Sequence, residues 1–154
     1  MYRFCRIGNT NLICYRNGTI LRFDKRSKKW TVCKGTKLKK GYLQMEIDGK
    51  GHFMHRVIAH AFGILDLHSP LQIDHINFDK TNDKTNNCIF NLRPATNQQN
   101  QFNKDAKGYC WHKRVEKWHA TIVLDKKQIH LGYFDKEEDA RQAYLDAKKI
   151  YHII

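Results

Sequence analysis

Short alternating segments separated by polar turns fill the first third of the chain. Leu12-Ile13-Cys14-Tyr15 and Thr19-Ile20-Leu21 flank Asn17-Gly18, and Tyr42-Leu43-Gln44-Met45-Glu46-Ile47 runs into Asp48-Gly49. Asn-Gly and Asp-Gly supply the positive-φ positions of a two-residue turn, so each predicts an antiparallel hairpin. The period then changes. From His55 to Phe62, Val57, Ile58, Ala61 and Phe62 fall at helical spacing, and Gly63 is placed to close the helix. A short strand from Leu71 to Ile76 follows.

The polar stretch 77–87 contains a direct duplication, Asp79-Lys80-Thr81-Asn82 followed by Asp83-Lys84-Thr85-Asn86. A second apolar segment runs from Cys88 to Leu92. Thr96, with Gln99 three residues on, predicts a capping box and a helix whose one face carries Asn100 and Asn103. Beyond a polar connector, 104–108, lie three strand-like pieces: Tyr109 to Lys113, Lys117 to Leu124 and Gln128 to Phe134. A helix from Lys136 to Tyr151 is expected, with acids in its first turn, lysines in its last, and a stripe of small residues for close packing on a sheet. The fold class is therefore α+β. N-terminal β-hairpins come first, then a strand–strand–helix segment, then a three-stranded antiparallel sheet packed on one helix. The expected divisions are 1–52, 53–103 and 104–154.

Charge sharpens that division. The 154 residues carry a net charge of +13, and residues 1–52 hold 13 Lys/Arg against 3 Asp/Glu. Such density on one third of the chain suggests a polyanionic partner, bound through release of its counterions. A hydrophobic content of 41% predicts small cores. No apolar run approaches a membrane span and residues 1–6 lack an apolar signal core, so an intracellular, soluble protein without a membrane partner is expected, and a monomer. The five cysteines (Cys5, Cys14, Cys33, Cys88, Cys110) are scattered and never spaced C-x-x-C. Free thiols, no disulfide framework and no zinc site are the expectation.

Candidate chemistry concentrates at Ile73-Asp74-His75-Ile76. Neighbours on a strand face opposite ways, so Asp74 and His75 divide the work: one binds a metal, the other serves as base. A carboxylate suits a hard ion, Mg²⁺ or Mn²⁺, and an imidazole has the proton affinity for base catalysis near neutrality. An amide or imidazole near position 100 could complete the metal site. His55 and His60 flank an apolar helix face and read as structural.

Several motifs together (His55 to Phe62, Asp74-His75-Ile76, Asn91-Leu92-Arg93, and Asn100 with Asn103) resemble the HNH homing endonucleases of phage and mobile elements, of the ββα-metal type. The resemblance covers at least residues 40–103. It implies a DNA endonuclease using one divalent ion on double-stranded DNA. Asp74 and Asn100 would be metal ligands, with Asn103 the fallback, His75 the general base and Asn91 the brace of the metal loop. Arg93 would contact a phosphate or brace Asp74, and Arg56 joins the expected DNA contacts. The loop from His75 to Asn91 exceeds the family pattern by about one four-residue unit, which the duplication supplies. With no catalytic group in 1–52, Lys37, Lys39 and Lys40 are expected to grip the phosphate backbone.

A second resemblance covers 106–152. Lys107-Gly108-Tyr109, Trp111, Lys113, Lys117-Trp118, Ala120, Ile122, His130-Leu131-Gly132, Phe134, Glu137, Ala140 and Ala143-Tyr144 look like the ethylene-response-factor (Apetala-type) DNA-binding domain. That resemblance implies a sheet face lying in the major groove. Lys107, Lys113, Lys117, Thr121, Gln128 and His130 would supply contacts. The family's groove-facing arginines are replaced here by Cys110, His112, Val123 and Gln128, so a weaker or different base preference is expected. The alternatives are a DNA-binding regulator on a decayed nuclease core and an RNA-directed protein using the same basic surface.

Overall fold

The computed structural model describes residues 1–77, 83–102 and 106–152. Asn103 and the first copy of the duplicated tetrapeptide lie outside them. The chain forms two units, Met1–Asn97 and Gln98–Ile154.

The first unit opens with a four-stranded antiparallel meander of β1 (Tyr2–Ile7), β2 (Thr10–Tyr15), β3 (Ile20–Asp24) and β4 (Lys29–Val32), in that spatial order. A three-stranded sheet follows, β5 (Thr36–Lys37), β6 (Leu43–Ile47) and β7 (Lys50–Phe53). Both hairpin signals fall where expected. Asp48 and Gly49 both take positive φ between β6 and β7, as the favoured two-residue turn requires, whereas between β2 and β3 only Gly18 does, at φ +89°, within a longer connection from Tyr15 to Ile20. Asp48 also accepts hydrogen bonds from the Asn9 amide and the Thr10 hydroxyl, tying the two sheets' turns together. Helix α1 (Met54–Ala61) comes next, and the Phe62 and Gly63 amides close it onto Ile58 and His60. Strands β8 (Gln72–His75) and β9 (Leu92–Ala95) pair antiparallel, with a 3₁₀ turn at Ile89–Asn91 before β9.

One apolar cluster serves this whole unit. Leu12, Cys14 and Ile20 from the meander pack with Met45 and Ile47, with Met54, Val57 and Ile58 of α1, and with Ile73 and Leu92 of the β8–β9 pair. The step in charge near position 52 therefore does not coincide with a break in the core: the basic segment is one wall of it.

Helix α2 (Asn97–Phe102) spans the junction. Its later residues are tied into the second unit, where Phe102 stacks on His152 at 3.8 Å between ring centroids and Gln98 donates to Asp125. That unit holds β10 (Tyr109–His112), β11 (Lys117–Leu124) and β12 (Lys127–Phe134) in an antiparallel sheet, and helix α3 (Glu137–Tyr151). Ile122 of β11 packs with Tyr144 and Ala147 of α3 as a small core, with Ile129 and Leu131 against it, and Ala120 and Ala140 are also buried. Gly108 admits no side chain, because a Cβ there would stand 2.0 Å from the Tyr144 ring. No helix among the described residues is long and apolar enough to cross a membrane.

Candidate active site

The β8–β9 ladder sets the geometry. Asp74 lies opposite Arg93, and His75 opposite Leu92. Paired residues share a face of the ribbon, so Arg93 reaches the carboxylate directly. Its Nε and Nη2 donate to Asp74 Oδ2 at 3.1 and 2.9 Å. Asp74 is 3% exposed and His75 2%. The end of β8 is covered by the loop returning to β9 and by aromatic rings.

His75 is held through one ring nitrogen. Its Nε2 lies 3.1 Å from Asn87 Oδ1. An amide oxygen only accepts, so Nε2 carries the proton of that hydrogen bond and the neutral ring's lone pair sits on Nδ1. Burial pushes the imidazole's pKa below its ordinary value, partly offset by the Asn87 bond and by the charges of Asp74 and Asp83. The ring is thus neutral near pH 7, the form a base must have.

Asn87 is itself 4% exposed and firmly seated. The Ile89 amide donates to the Arg16 carbonyl, docking this loop on the β2–β3 hairpin. A Cβ on Gly18 would lie 2.7 Å from the Asn87 carbonyl carbon. Asn91 closes the loop from both ends: its Oδ1 accepts from the Asn77 amide and its Nδ2 donates to the Asn86 carbonyl, each at 2.9 Å.

A layer of rings backs the imidazole. His55 of α1 meets His75 edge to face at 5.2 Å and stacks on Phe53, while Tyr42 touches both histidines at 5.2 and 6.0 Å. His55 is pushed down to about 3 by burial, then by the charge of His75 and of Arg56, so it remains neutral. The Tyr42 phenol is pushed up by burial and by the charge of Asp74.

Beside this layer, Lys37, Lys39, Lys40, Gly41, Asp83 and Lys84 line a concavity of about 380 Å³. Arg93 and Arg56 both make contacts within the first unit, and for Arg93 the contact is the brace of Asp74, one of its two expected roles. Arg93 holds Asp74, and Arg56 donates to the carbonyls of Leu67, Ser69 and Leu71, fixing the segment after α1. Asn100 lies on α2, in the second unit. Among the described residues, no three His, Cys, Asp or Glu side chains form a group able to hold a metal. All five cysteines are free, and burial raises the thiol pKa of Cys5, Cys14 and Cys33.

In the second unit, the cross-strand pairs place Cys110 beside His119, Tyr133 across from His119, and His130 and Gln128 across from Thr121 and Val123. The face away from α3 therefore carries Thr121, Gln128 and His130 as expected, and also His119 and Tyr133. His119 Nε2 and His130 Nδ1 are hydrogen-bonded at 2.8 Å, and Gln128 donates to the Thr121 hydroxyl. Lys117 pairs with Asp135. Lys107 pairs with Glu137 and lies over the Tyr109 and Trp118 rings. Lys113 stands in the β10–β11 turn.

Sequence reasoning missed Asn87, Tyr42 and Lys84 and gave His55 no link to His75. Asn87 sits in a polar run with no hydrophobic period, and the ring contacts come from positions far apart in the chain.

No protein-family model matches this sequence, and no curated protein matches it. A solved structure titled "DNA binding and cleavage by the HNH homing endonuclease I-HmuI" superposes with a TM-score of 0.45 at 22% identity, over 85% of this chain and 75% of that one.

Proposed function

We propose that this chain is a metal-dependent DNA endonuclease of the HNH homing type. The observation that carries the reading is the treatment of two consecutive strand residues: a carboxylate anchored by a guanidinium, beside an imidazole kept neutral and hung from an amide oxygen. Neither arrangement is needed to close a two-stranded ribbon, and together they are an acid–base pair of distinct roles.

His75 acts as general base through Nδ1, taking a proton from the attacking water. Asn87 fixes the tautomer, and Tyr42 and His55 fix the ring plane. Asp74 would hold the divalent ion; a carboxylate oxygen suits Mg²⁺ or Mn²⁺, which keep water and substrate phosphate among their ligands. When bound, the ion would stabilise charge developing on the phosphate and the leaving oxygen. Arg93 keeps the carboxylate oriented. Asn91 holds the ends of the intervening loop together, so that Asn87 stays under His75. The lysines of the first unit hold the backbone of double-stranded DNA, and the outward sheet of the second unit, resembling an ethylene-response-factor domain, reads the groove.

The test is cleavage of plasmid and genomic DNA with Mg²⁺ or Mn²⁺, with the ends sequenced. The wild-type chain should leave 5′-phosphate and 3′-hydroxyl ends. His75→Ala should lose about 10²–10⁴-fold in rate, the usual contribution of a positioned base, and keep its DNA affinity. Undiminished cutting by His75→Ala rejects the assignment. A wild-type chain that binds duplex DNA but never cuts it would be a DNA-binding regulator instead.

A further inference from the structure

Resting on that reading, we infer that Lys84 completes a backbone-phosphate site with Lys37, Lys39 and Lys40, and that its ligand is a DNA phosphate neighbouring the one cleaved.

Four lysines and one aspartate line the same concavity. Like charges gathered at this density repel, and a bound phosphodiester relieves the repulsion while releasing counterions from the nucleic acid. The single acid does not neutralise the site. The Thr85 hydroxyl and amide hold the Asp83 carboxyl below its ordinary pKa, so it stays ionised and offsets only part of the lysine charge.

Lys84 is placed rather than merely present. Its ammonium donates to the Lys40 carbonyl at 3.1 Å and lies 4.8 Å over the Tyr42 ring. These contacts hold a long side chain on the lining of the concavity, which lowers the entropy lost when a ligand binds. Tyr42 in turn touches His75, so the lysine group lies one ring away from the imidazole that acts as base. A phosphate held here would fix the strand's register on the site without reading its sequence. Lys84 belongs to the second Asp-Lys-Thr-Asn copy. The duplication thereby contributes a cation at the substrate's edge as well as loop length.

The experiment uses the full chain in EDTA, so that binding is measured without cleavage. Fluorescence anisotropy on short duplexes of unrelated sequence, across a salt series, gives both affinity and the slope of log affinity against log salt. Lys84→Gln should weaken binding by a similar factor on every duplex and reduce the slope by about 0.9, the value for one neutralised phosphate. Lys84→Arg should keep the slope. Asp83→Asn, which removes the one negative charge, should tighten binding on every duplex. An unchanged slope in Lys84→Gln, or weaker or unaltered binding in Asp83→Asn, overturns the inference; the second variant decides the matter if the first does not fold. Cleavage by the wild-type chain is scored separately. A chain that shows these binding changes and yet never cuts would keep the phosphate site and lose the nuclease reading.

Discussion

At the scale of residues, the imidazole of His75 is held by groups outside the proposed metal and DNA contacts. Asn87 sets its tautomer. Asn87→Ala removes the Asn87 oxygen that fixes the Nε2–H, so the proposed base should lose orientation and proton affinity at Nδ1. The cleavage rate should fall, though less than in His75→Ala. Asn87→Asp separates orientation from electrostatics: a carboxylate beside the ring favours the imidazolium. The acid limb of the pH–rate profile should therefore move to higher pH, whereas a purely structural Asn87 would lower the rate at every pH without moving the limb. His55 has a different consequence. Its pKa lies near 3 in the folded chain against an ordinary 6.5, so the unfolded chain binds the proton first. Stability contributed by the neutral ring is present above pH 6.5 and declines as pH falls toward 3. His55→Phe keeps an aromatic ring against Phe53 and Tyr42 but cannot be protonated. Urea denaturation between pH 7 and pH 4 should show a flatter decline in that variant, with the remaining slope due in part to His75. An identical decline in both proteins would mean that His55 is not the titrating group.

At the scale of elements, what was legible depended on whether local chemistry or distant contact made the structure. The two hairpins were legible because Asn17-Gly18 and Asp48-Gly49 each dictate a backbone turn. Helix α1 and the second unit's three strands and helix were legible because their apolar positions keep one period to the end. Strand β1 was not, since its residues are mostly exposed and its partner lies across a turn without a strong signal. Strands β4 and β5 are short, exposed and set among lysines, and pairing alone makes them strands. The Asp74–His75 pair stood out in the sequence. Its supports did not, because the β2–β3 turn meets the loop before β9 only in the folded chain. Gly18 makes this testable. An alanine there meets both a left-handed backbone and the Asn87 carbonyl. Gly49 has a similar backbone, yet nothing lies within 4 Å of its Cβ position. Gly49→Ala should cost about 1–2 kcal/mol from conformation alone. Gly18→Ala should cost more and should also slow cleavage, because it displaces the residue that holds His75. Equal stability losses in urea, with equal cleavage, would disconnect the turn from the site.

At the scale of the whole molecule, the two units differ in the surface chemistry they would bring to the proposed DNA substrate. The first concentrates positive charge, with 13 Lys/Arg in its opening 52 residues. The second offers a sheet face of hydrogen-bonding groups, among them Thr121, Gln128 and the His119–His130 pair, and partial desolvation with neighbouring imidazoles holds His119 below its ordinary pKa. Charge grips phosphates on any sequence, whereas amides and imidazoles discriminate between base edges. Variants in the two units should therefore fail in different ways. Replacing Lys37, Lys39 and Lys40 together by Gln should weaken binding to all duplexes alike and make the salt dependence shallower by roughly one unit for each phosphate no longer held. Gln128→Ala should leave that salt dependence unchanged and lower cutting at preferred sites relative to others, by an amount equivalent to about 1–3 kcal/mol for each base no longer read. Sequencing the ends produced from genomic DNA by each variant reads both effects at once. If Gln128→Ala depressed cutting uniformly, or the lysine variant redistributed it among sites, the division of labour between backbone grip and groove reading would have to be abandoned. The second unit would then serve affinity alone, and site choice would have to come from groups in the first.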